Sequence, residues 1–406
     1  MKRSNFLFGA AGGLAVVGIN DGFFSKALAQ MPVGTDAGTQ PRTLILVNMQ
    51  GGNDGLNTLV PHGMPAYYRY RPTIGVAPND VLRLDATVGL NPALRPLKAL
   101  YDKGSVAIVQ GVGYPQPDHS HFRSTEIWQT AEPTEHAHTG WLGRYLDEAN
   151  LPKANLFNAV AVAPVLPEAL VANRTDVPAI AQLGGYGLAS DRNAANRSAF
   201  RAIASDTQVP FRSPYLAAVS EIESHAQRGS EELPKLIAGY TSNAAYPATP
   251  FGRSLALAAQ IVGSKLGTRV IYVQIGSFDT HINQKATQDR LLAELANGLA
   301  AFYTDLAAHG LDRNVLTMTF SEFGRRVGEN ASRGTDHGTA APLFLIGGAV
   351  KGGLYGTQPS LDTLDDGDLR FSTDFRSVYA TVLERWLGRP ASPIIGGVFS
   401  QLPLLA

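Results

Sequence analysis

Val315-Leu316-Thr317-Met318-Thr319-Phe320-Ser321-Glu322-Phe323-Gly324-Arg325-Arg326 is the stretch on which the fold turns. Its first six residues carry no charge and are rich in β-formers, which suits a strand in the middle of a parallel sheet. In open α/β sheets, ligands gather just beyond the carboxyl ends of the strands. Glu322 leaves its strand at that place, and Thr335-Asp336-His337-Gly338 is expected to return to the same rim before the apolar run 342–346. Carboxylate and imidazole together serve as metal ligands or as acid and base groups. The segment therefore predicts a site of chemistry more than a packing core.

Further strands are predicted over 43–49, 105–112, 158–162, 269–275 and 343–346. Helices are predicted over 91–101, 122–130, 139–149, 250–266 and 284–309. In the longest helix Leu291, Leu292, Leu295, Leu299, Phe302, Tyr303 and Leu306 recur at three and four, a core-facing stripe. A last helix opens at Ser372-Thr373-Asp374, where a hydroxyl or carboxylate can cap free N–H groups, and stops at Gly388-Arg389-Pro390. Residues 347–353 read as a glycine-rich turn, and 198–245 as a helical insertion. Strands alternating with helices predict an α/β fold, a three-layer α/β/α sandwich with a mainly parallel sheet.

The 406 residues are 44% hydrophobic and 17% charged, which fits one large α/β domain and argues against bulk disorder. Basic and acidic side chains balance at 34 each, so no general affinity for nucleic acid or an anionic membrane is expected. There is no cysteine, which removes disulfides, thiolate zinc sites and cysteine nucleophiles together.

Residues 1–29 have the three-part plan of an export signal. Met1-Lys2-Arg3-Ser4 is basic, 6–19 is apolar and glycine-rich, and Ala27-Leu28-Ala29 places small residues at both cleavage-determining positions, before Gln30. The apolar part is shorter than the about 20 residues of a membrane helix, so no integral span is expected after cleavage. Lys2-Arg3-Ser4-Asn5-Phe6-Leu7 resembles a twin-arginine signal, with Lys2 in place of the first arginine. A periplasmic or extracellular location is expected, with 30–406 as a single domain; export in the folded state would suit a cofactor or metal inserted in the cytoplasm.

Four strand-end loops hold nearly every unusual polar residue. Gly51-Gly52-Asn53-Asp54-Gly55 lets backbone approach a ligand and sets Asp54 just past its strand, although a plain turn would use the same residues. Asp118-His119-Ser120-His121 opens a helix, where Ser120 can be the N-cap, the nucleophile, or both. His119 and His121 flank it, and Ser124 competes one turn on. In Ser277-Phe278-Asp279-Thr280-His281, residues two apart on extended backbone point to one side, so Asp279 and His281 can share a metal. Glu322 with Asp336 and His337 is the fourth group. Arg325 and Arg326 read as surface ion pairs, with binding of an anionic substrate group the alternative for either.

Several acid- and imidazole-bearing loops in one sheet predict a site for two divalent ions, which lower the pKa of a hydroxyl and balance charge in an in-line displacement. A Ser-His-Asp triad is the competing chemistry, but no Gly-x-Ser-x-Gly elbow surrounds Ser120.

Asn48-Met49-Gln50-Gly51-Gly52-Asn53-Asp54-Gly55-Leu56-Asn57, His119-Ser120-His121-Phe122, Gly140-Trp141-Leu142-Gly143-Arg144 and Phe278-Asp279-Thr280-His281 form the first part of an ordered motif set. Ser321-Glu322-Phe323-Gly324-Arg325-Arg326, Gly334 to Gly338 and Asp374-Phe375-Arg376 complete it. Together they resemble, over nearly the whole mature chain, the bacterial exported family named domain of unknown function 1501. That resemblance implies an alkaline-phosphatase-like fold of the alkaline phosphatase and sulfatase superfamily. In that superfamily an aspartate follows the first strand, a serine or threonine nucleophile opens a helix, and later loops supply Asp and His ligands.

Carried onto this chain, the resemblance implies Ser120 as nucleophile, with His121 beside it as a second catalytic candidate, and Asp54, Asp279, His281, Glu322 and His337 as metal ligands, with Asp336 either a ligand or a partner that supports one. Glu322 stands for the usual aspartate, Phe323 for the usual histidine, and His281 lies two residues after Asp279 instead of four. A site richer in oxygen ligands leans towards manganese, magnesium or calcium, with zinc the alternative. The implied activity is hydrolysis of a phosphate or sulfate ester on a small molecule or polymer. The alternative is a non-catalytic envelope binding or assembly protein with an envelope protein partner. All the named side chains should ring one polar pocket at one rim of the sheet, with Phe323 in the core or on the pocket wall.

Overall fold

A computed structural model describes residues 41–152, 155–181, 229 and 232–406. The export segment 1–29 and most of the insertion expected at 198–245 lie outside the described residues.

Eleven strands are described: β1 (Thr43–Met49), β2 (Leu59–Val60), β3 (Leu82–Arg83), β4 (Gly89–Leu90), β5 (Val106–Gly113), β6 (Ala159–Val162), β7 (Val270–Ile275), β8 (Val315–Phe320), β9 (Ala341–Ile346), β10 (Gly353–Tyr355) and β11 (Thr373–Asp374). The main sheet runs β10-β5-β9-β8-β1-β7-β6, with β11 also paired to β5. The short strands β2, β4 and β3 form a separate antiparallel sheet.

β1 is buried throughout and lies parallel to both β7 and β8, with Asn48 opposite Phe320 and Met49 opposite Ile275. The chain therefore moves away from β1 in both directions, a switch point at which the following loops splay apart and leave a crevice. β9 is antiparallel to β8 and to β5. Its amino end consequently lies beside the carboxyl ends of β8 and β5, which returns Thr335–His337 to the rim where Glu322 leaves. A mainly parallel sheet with one reversed strand thus gathers the four loops at one edge.

Side chains on β1 alternate between two cores, as a period of two requires. Leu44 and Leu46 join Trp128, Trp141, Tyr379 and Trp386 from the helices His121–Thr130, Trp141–Glu148 and Phe375–Thr381 and the turn after it. Ile45, Val47 and Met49 join Leu97, Leu255, Leu295 and Leu299 from Arg95–Asp102, Pro250–Gly263 and Gln284–Ala308. This is the expected three-layer α/β sandwich. Leu291, Leu292, Leu295, Leu299, Phe302 and Leu306 are all buried, as their spacing predicts. Asp374 caps Phe375–Thr381, its Oδ1 accepting from the Arg376 N–H at 2.9 Å.

Two features depart from expectation. The glycine-rich run at 347–353 leads into a strand, β10, which pairs with β5 although it is only three residues long. Residues 92–94 form a separate 3₁₀ turn ahead of the helix from Arg95, because Pro92 and Pro96 each remove a backbone donor. Among the described residues no helix is long and apolar enough to cross a membrane.

Candidate metal centre

Beyond β7, Phe278 is buried and anchors its loop, while Asp279 stands 43% exposed at the rim. Around its carboxylate lie three imidazoles from three loops. His281 Nε2 is 2.9 Å from Oδ1, His337 Nε2 is 3.2 Å from Oδ1, and His121 Nε2 is 3.5 Å from Oδ2. His281 Nε2 and His337 Nε2 are 3.0 Å apart.

Each ring is tied at its other nitrogen. His121 Nδ1 donates to Glu322 Oε1 at 2.8 Å, His281 Nδ1 to Asp336 Oδ1 at 3.2 Å, and His337 Nδ1 to the His119 carbonyl at 2.7 Å. A neutral imidazole that donates from Nδ1 is left with a lone pair on Nε2. Three such lone pairs therefore converge on a carboxylate, and acceptors facing acceptors repel unless a cation lies between them. His121 Nε2 is buried without a hydrogen-bond partner, and the one donor reaching His281 Nε2 is Arg325 Nη1 at 3.4 Å. Four ligand atoms on a tetrahedral ion with bonds near 2.0–2.1 Å would sit about 3.3 Å apart. The donor set and its spacing fit a divalent ion, and Nδ1–H held by carboxylate or carbonyl is how metal-binding histidines are usually oriented.

Charge around the site follows from this geometry. Burial pushes the Asp279 carboxyl up, but the Arg325 guanidinium at 2.8 Å outweighs it and brings its pKa down to about 2. The hydrogen bond to Glu322 raises the His121 pKa, whereas burial lowers that of His337. Hydrogen bonding from Asn330 holds Asp336 below the usual carboxylate range.

Local structure explains the placement. Gly51 has φ +112°, and a Cβ there would lie 2.6 Å from the Asp279 N. A Cβ at Gly52 would collide with the Phe323 ring. The first loop can thus lie flat against the other two only with glycine at both positions. Phe323 is buried, its ring 4.9 Å from that of His121 and 4.6 Å from that of His337. It packs against the inner edges of two imidazoles, an apolar wall at the base of the site.

The structure gives the expected residues different surroundings. Glu322 is 2% exposed, and its Oε1 accepts from the Gly51 N–H and from His121 Nδ1, which fixes the His121 ring. Asp336 does the same for His281. His121, expected to act with Ser120, donates from Nδ1 to Glu322 and turns its unpartnered Nε2 towards Asp279 Oδ2. Asp54 stands apart: its carboxylate is fully buried against Arg71 Nη1 at 2.5 Å and also accepts from Gln284 and from the Asn57 N–H. Arg325 is a buried clamp and not a surface charge, donating to the carbonyls of Gly51, Gly52, Phe278 and Thr335.

Ser120 is the exposed N-cap of the His121–Thr130 helix, with no side-chain capping bond of its own. It lies between His119, whose carbonyl holds His337, and His121. Ser124 is fully buried, hydrogen-bonded to Tyr114 Oη and to the Glu322 carbonyl. Of the two candidate serines, Ser120 is therefore the exposed one. Two residues missed from sequence are Arg71 and Gln284, which lie in no strand-end motif.

Removing an exposed orienting group should separate metal binding from stability. Asp336→Ala is expected to weaken divalent-ion affinity about 10-fold, as loss of a partner to a ligating histidine does. Its unfolding free energy should stay within about 0.5 kcal/mol of the parent, because the side chain is 60% exposed. Competition with a chelating dye and urea unfolding measure the two quantities.

A family model described as "Protein of unknown function (DUF1501)" matches residues 104–386. Similar solved structures include the C-terminal periplasmic domain of EcEptC from Escherichia coli in complex with Zn, at 11% identity and TM-score 0.36, covering 77% of this chain and 74% of that one. The lipoteichoic acid synthase LtaP from Listeria monocytogenes is 9% identical, with TM-score 0.38 and coverage of 95% and 78%. The alkaline phosphatase from the Antarctic bacterium TAB5 is 13% identical, with TM-score 0.33 and coverage of 76% and 92%. No curated protein matches the chain.

Proposed function

The chain belongs to the family described as Protein of unknown function (DUF1501), and on the strength of its site we propose that this member is an exported metal-dependent hydrolase of phosphate or sulfate esters. The observation that carries this reading is the convergence of three Nε2 atoms, each with its Nδ1 held, on the carboxylate of Asp279. His121, His281, His337 and Asp279 would hold the ion. Such an ion supplies Lewis-acid polarisation of an ester oxygen and lowers the pKa of a nearby hydroxyl.

The chain's own groups do the rest. Ser120 offers its hydroxyl from the N-cap of a ten-residue helix, whose free N–H groups and dipole favour negative charge on an incoming anion. Glu322, Asp336 and the His119 carbonyl fix ring orientation, so the ligands need no rearrangement when substrate arrives. Asp279 and His281 are partly exposed, so the site opens outward and can take an ester on a small molecule or on a polymer end. The basic, apolar and small-residue order of residues 1–29 supports export, with the lysine-arginine pair supporting the twin-arginine route.

Purified protein assayed on aryl phosphates, phosphodiesters and aryl sulfates, with zinc, manganese, magnesium and calcium in turn, tests the reading. One class should be turned over, and Ser120→Ala should lower kcat by about 1,000-fold or more, the scale seen when a nucleophile is removed. Absence of turnover with every ion, or a Ser120→Ala variant as active as the parent, defeats it.

A further inference from the structure

We propose that the centre holds a single divalent ion, and that the buried guanidinium groups of Arg71 and Arg325 supply the positive charge a second ion would bring to Asp54 and Asp279. The inference rests on the metal reading above and deepens it.

A second ion needs its own ligands and a group to share with the first. His121, His337 and Asp279 bring their ligand atoms within 4.8 Å of one another, and His281 Nε2 adds a fourth donor 2.9 Å from Asp279 Oδ1 and 3.0 Å from His337 Nε2. Glu322 and Asp336 are spent as acceptors for ring N–H groups. Asp368, the other buried carboxylate near these loops, is bonded to His119 Nε2 at 3.0 Å. Asp118 Oδ1 accepts from the Ser120 N–H at 2.6 Å. Among the described residues of the four strand-end loops that leaves the Asp54 carboxylate, and a closed cage surrounds it.

Arg71 is 1% exposed and has its guanidinium spread over four acceptors. Nε donates to the Val327 carbonyl at 2.9 Å, Nη2 to the Arg326 carbonyl at 2.9 Å, and Nη1 to both Asp54 Oδ2 and Asn57 Oδ1. Gln284 donates to the same Asp54 oxygen while its own carbonyl accepts from the Thr335 hydroxyl. Freeing Asp54 for a metal would strand a buried guanidinium and leave two charges of one sign side by side. Arg325 acts likewise on the shared carboxylate, because its Nη2 occupies Asp279 Oδ1 at 2.8 Å and leaves Oδ2 less encumbered. A bridging carboxylate needs both oxygens open.

The test is metal content. Full-length mature protein loaded with zinc or manganese and dialysed should contain a single ion per chain by elemental analysis, with one binding event in calorimetry. Asp54→Asn should keep that content, with affinity changed less than about threefold, whereas loss of an orienting group costs 10-fold or more. Two ions per chain overturn the proposal, as does a ten-fold loss of affinity in folded Asp54→Asn. Two ions with ester turnover would sink this inference and spare the hydrolase reading. One ion without turnover on any ester would do the reverse, and no ion would end both.

Discussion

Replacing His121 with alanine is expected to weaken divalent-ion binding by more than about 100-fold while the chain stays folded, since loss of an orienting partner alone costs 10–100-fold. His121 Nε2 is the buried ring nitrogen without a partner in the centre, so a ligand atom disappears and no existing protein bond is broken there. At Nδ1 the variant loses the 2.8 Å bond to Glu322, but that carboxylate keeps the Gly51 N–H. The ring also packs on Phe323 and His337. Together these losses predict about 1–3 kcal/mol of destabilisation, which a domain of ordinary stability survives. His136→Ala is the control: that ring is 78% exposed and bonded to Glu126, so binding should be unchanged. Metal titration with circular dichroism on the same samples decides the matter, and an affinity within threefold of the parent would remove His121 from the ligand set.

How much of this was legible in the sequence follows from what kind of interaction each feature uses. The β8 strand and the buried face of Gln284–Ala308 are local patterns, uncharged runs and a three-and-four repeat, so they can be read directly. Asp279, His281 and His337 could be picked out because they follow or precede such strands. Their partners could not. Glu322 looks like a ligand in one dimension, since a carboxylate past a strand end is the same residue whether it touches a metal or the far nitrogen of a histidine. Only the 2.8 Å contact to His121 Nδ1, across 201 positions, tells the roles apart. β10 shows the same limit in the fold: Gly353–Tyr355 has no strand signal of its own, and pairing with β5 makes it one.

Arg71 is the most consequential residue that sequence could not reveal, and its replacement by methionine is expected to destabilise the chain by about 3–5 kcal/mol, the cost of leaving one member of a buried pair unpaired. Methionine approximates the length of the arginine stem and fills much of its space, so the loss is mainly electrostatic: the ion pair with Asp54 and the guanidinium's place over the Tyr67 ring, 6.0 Å from its centroid. Three acceptors lose their donor together with Asp54: the carbonyls of Val327 and Arg326 and the side chain of Asn57. Asn57 retains Tyr67 as a donor, and the exposed neighbourhood of Arg326 lets water reach its carbonyl, so Asp54 carries most of the penalty. The double variant Asp54→Asn, Arg71→Met removes both charges and should regain part of the loss, giving a coupling energy that the urea-unfolding cycle reads directly. A cost below about 1 kcal/mol for Arg71→Met would place the pair with solvent-exposed bridges and contradict its burial. A large coupling energy would mean that the pair pins the loop after β1 against the loops after β7 and β8. Those loops carry Asp279 and Glu322, so the pair would contribute to the stability of the fold around the centre while ion affinity, set by the ligands themselves, stays within the threefold expected of Asp54→Asn.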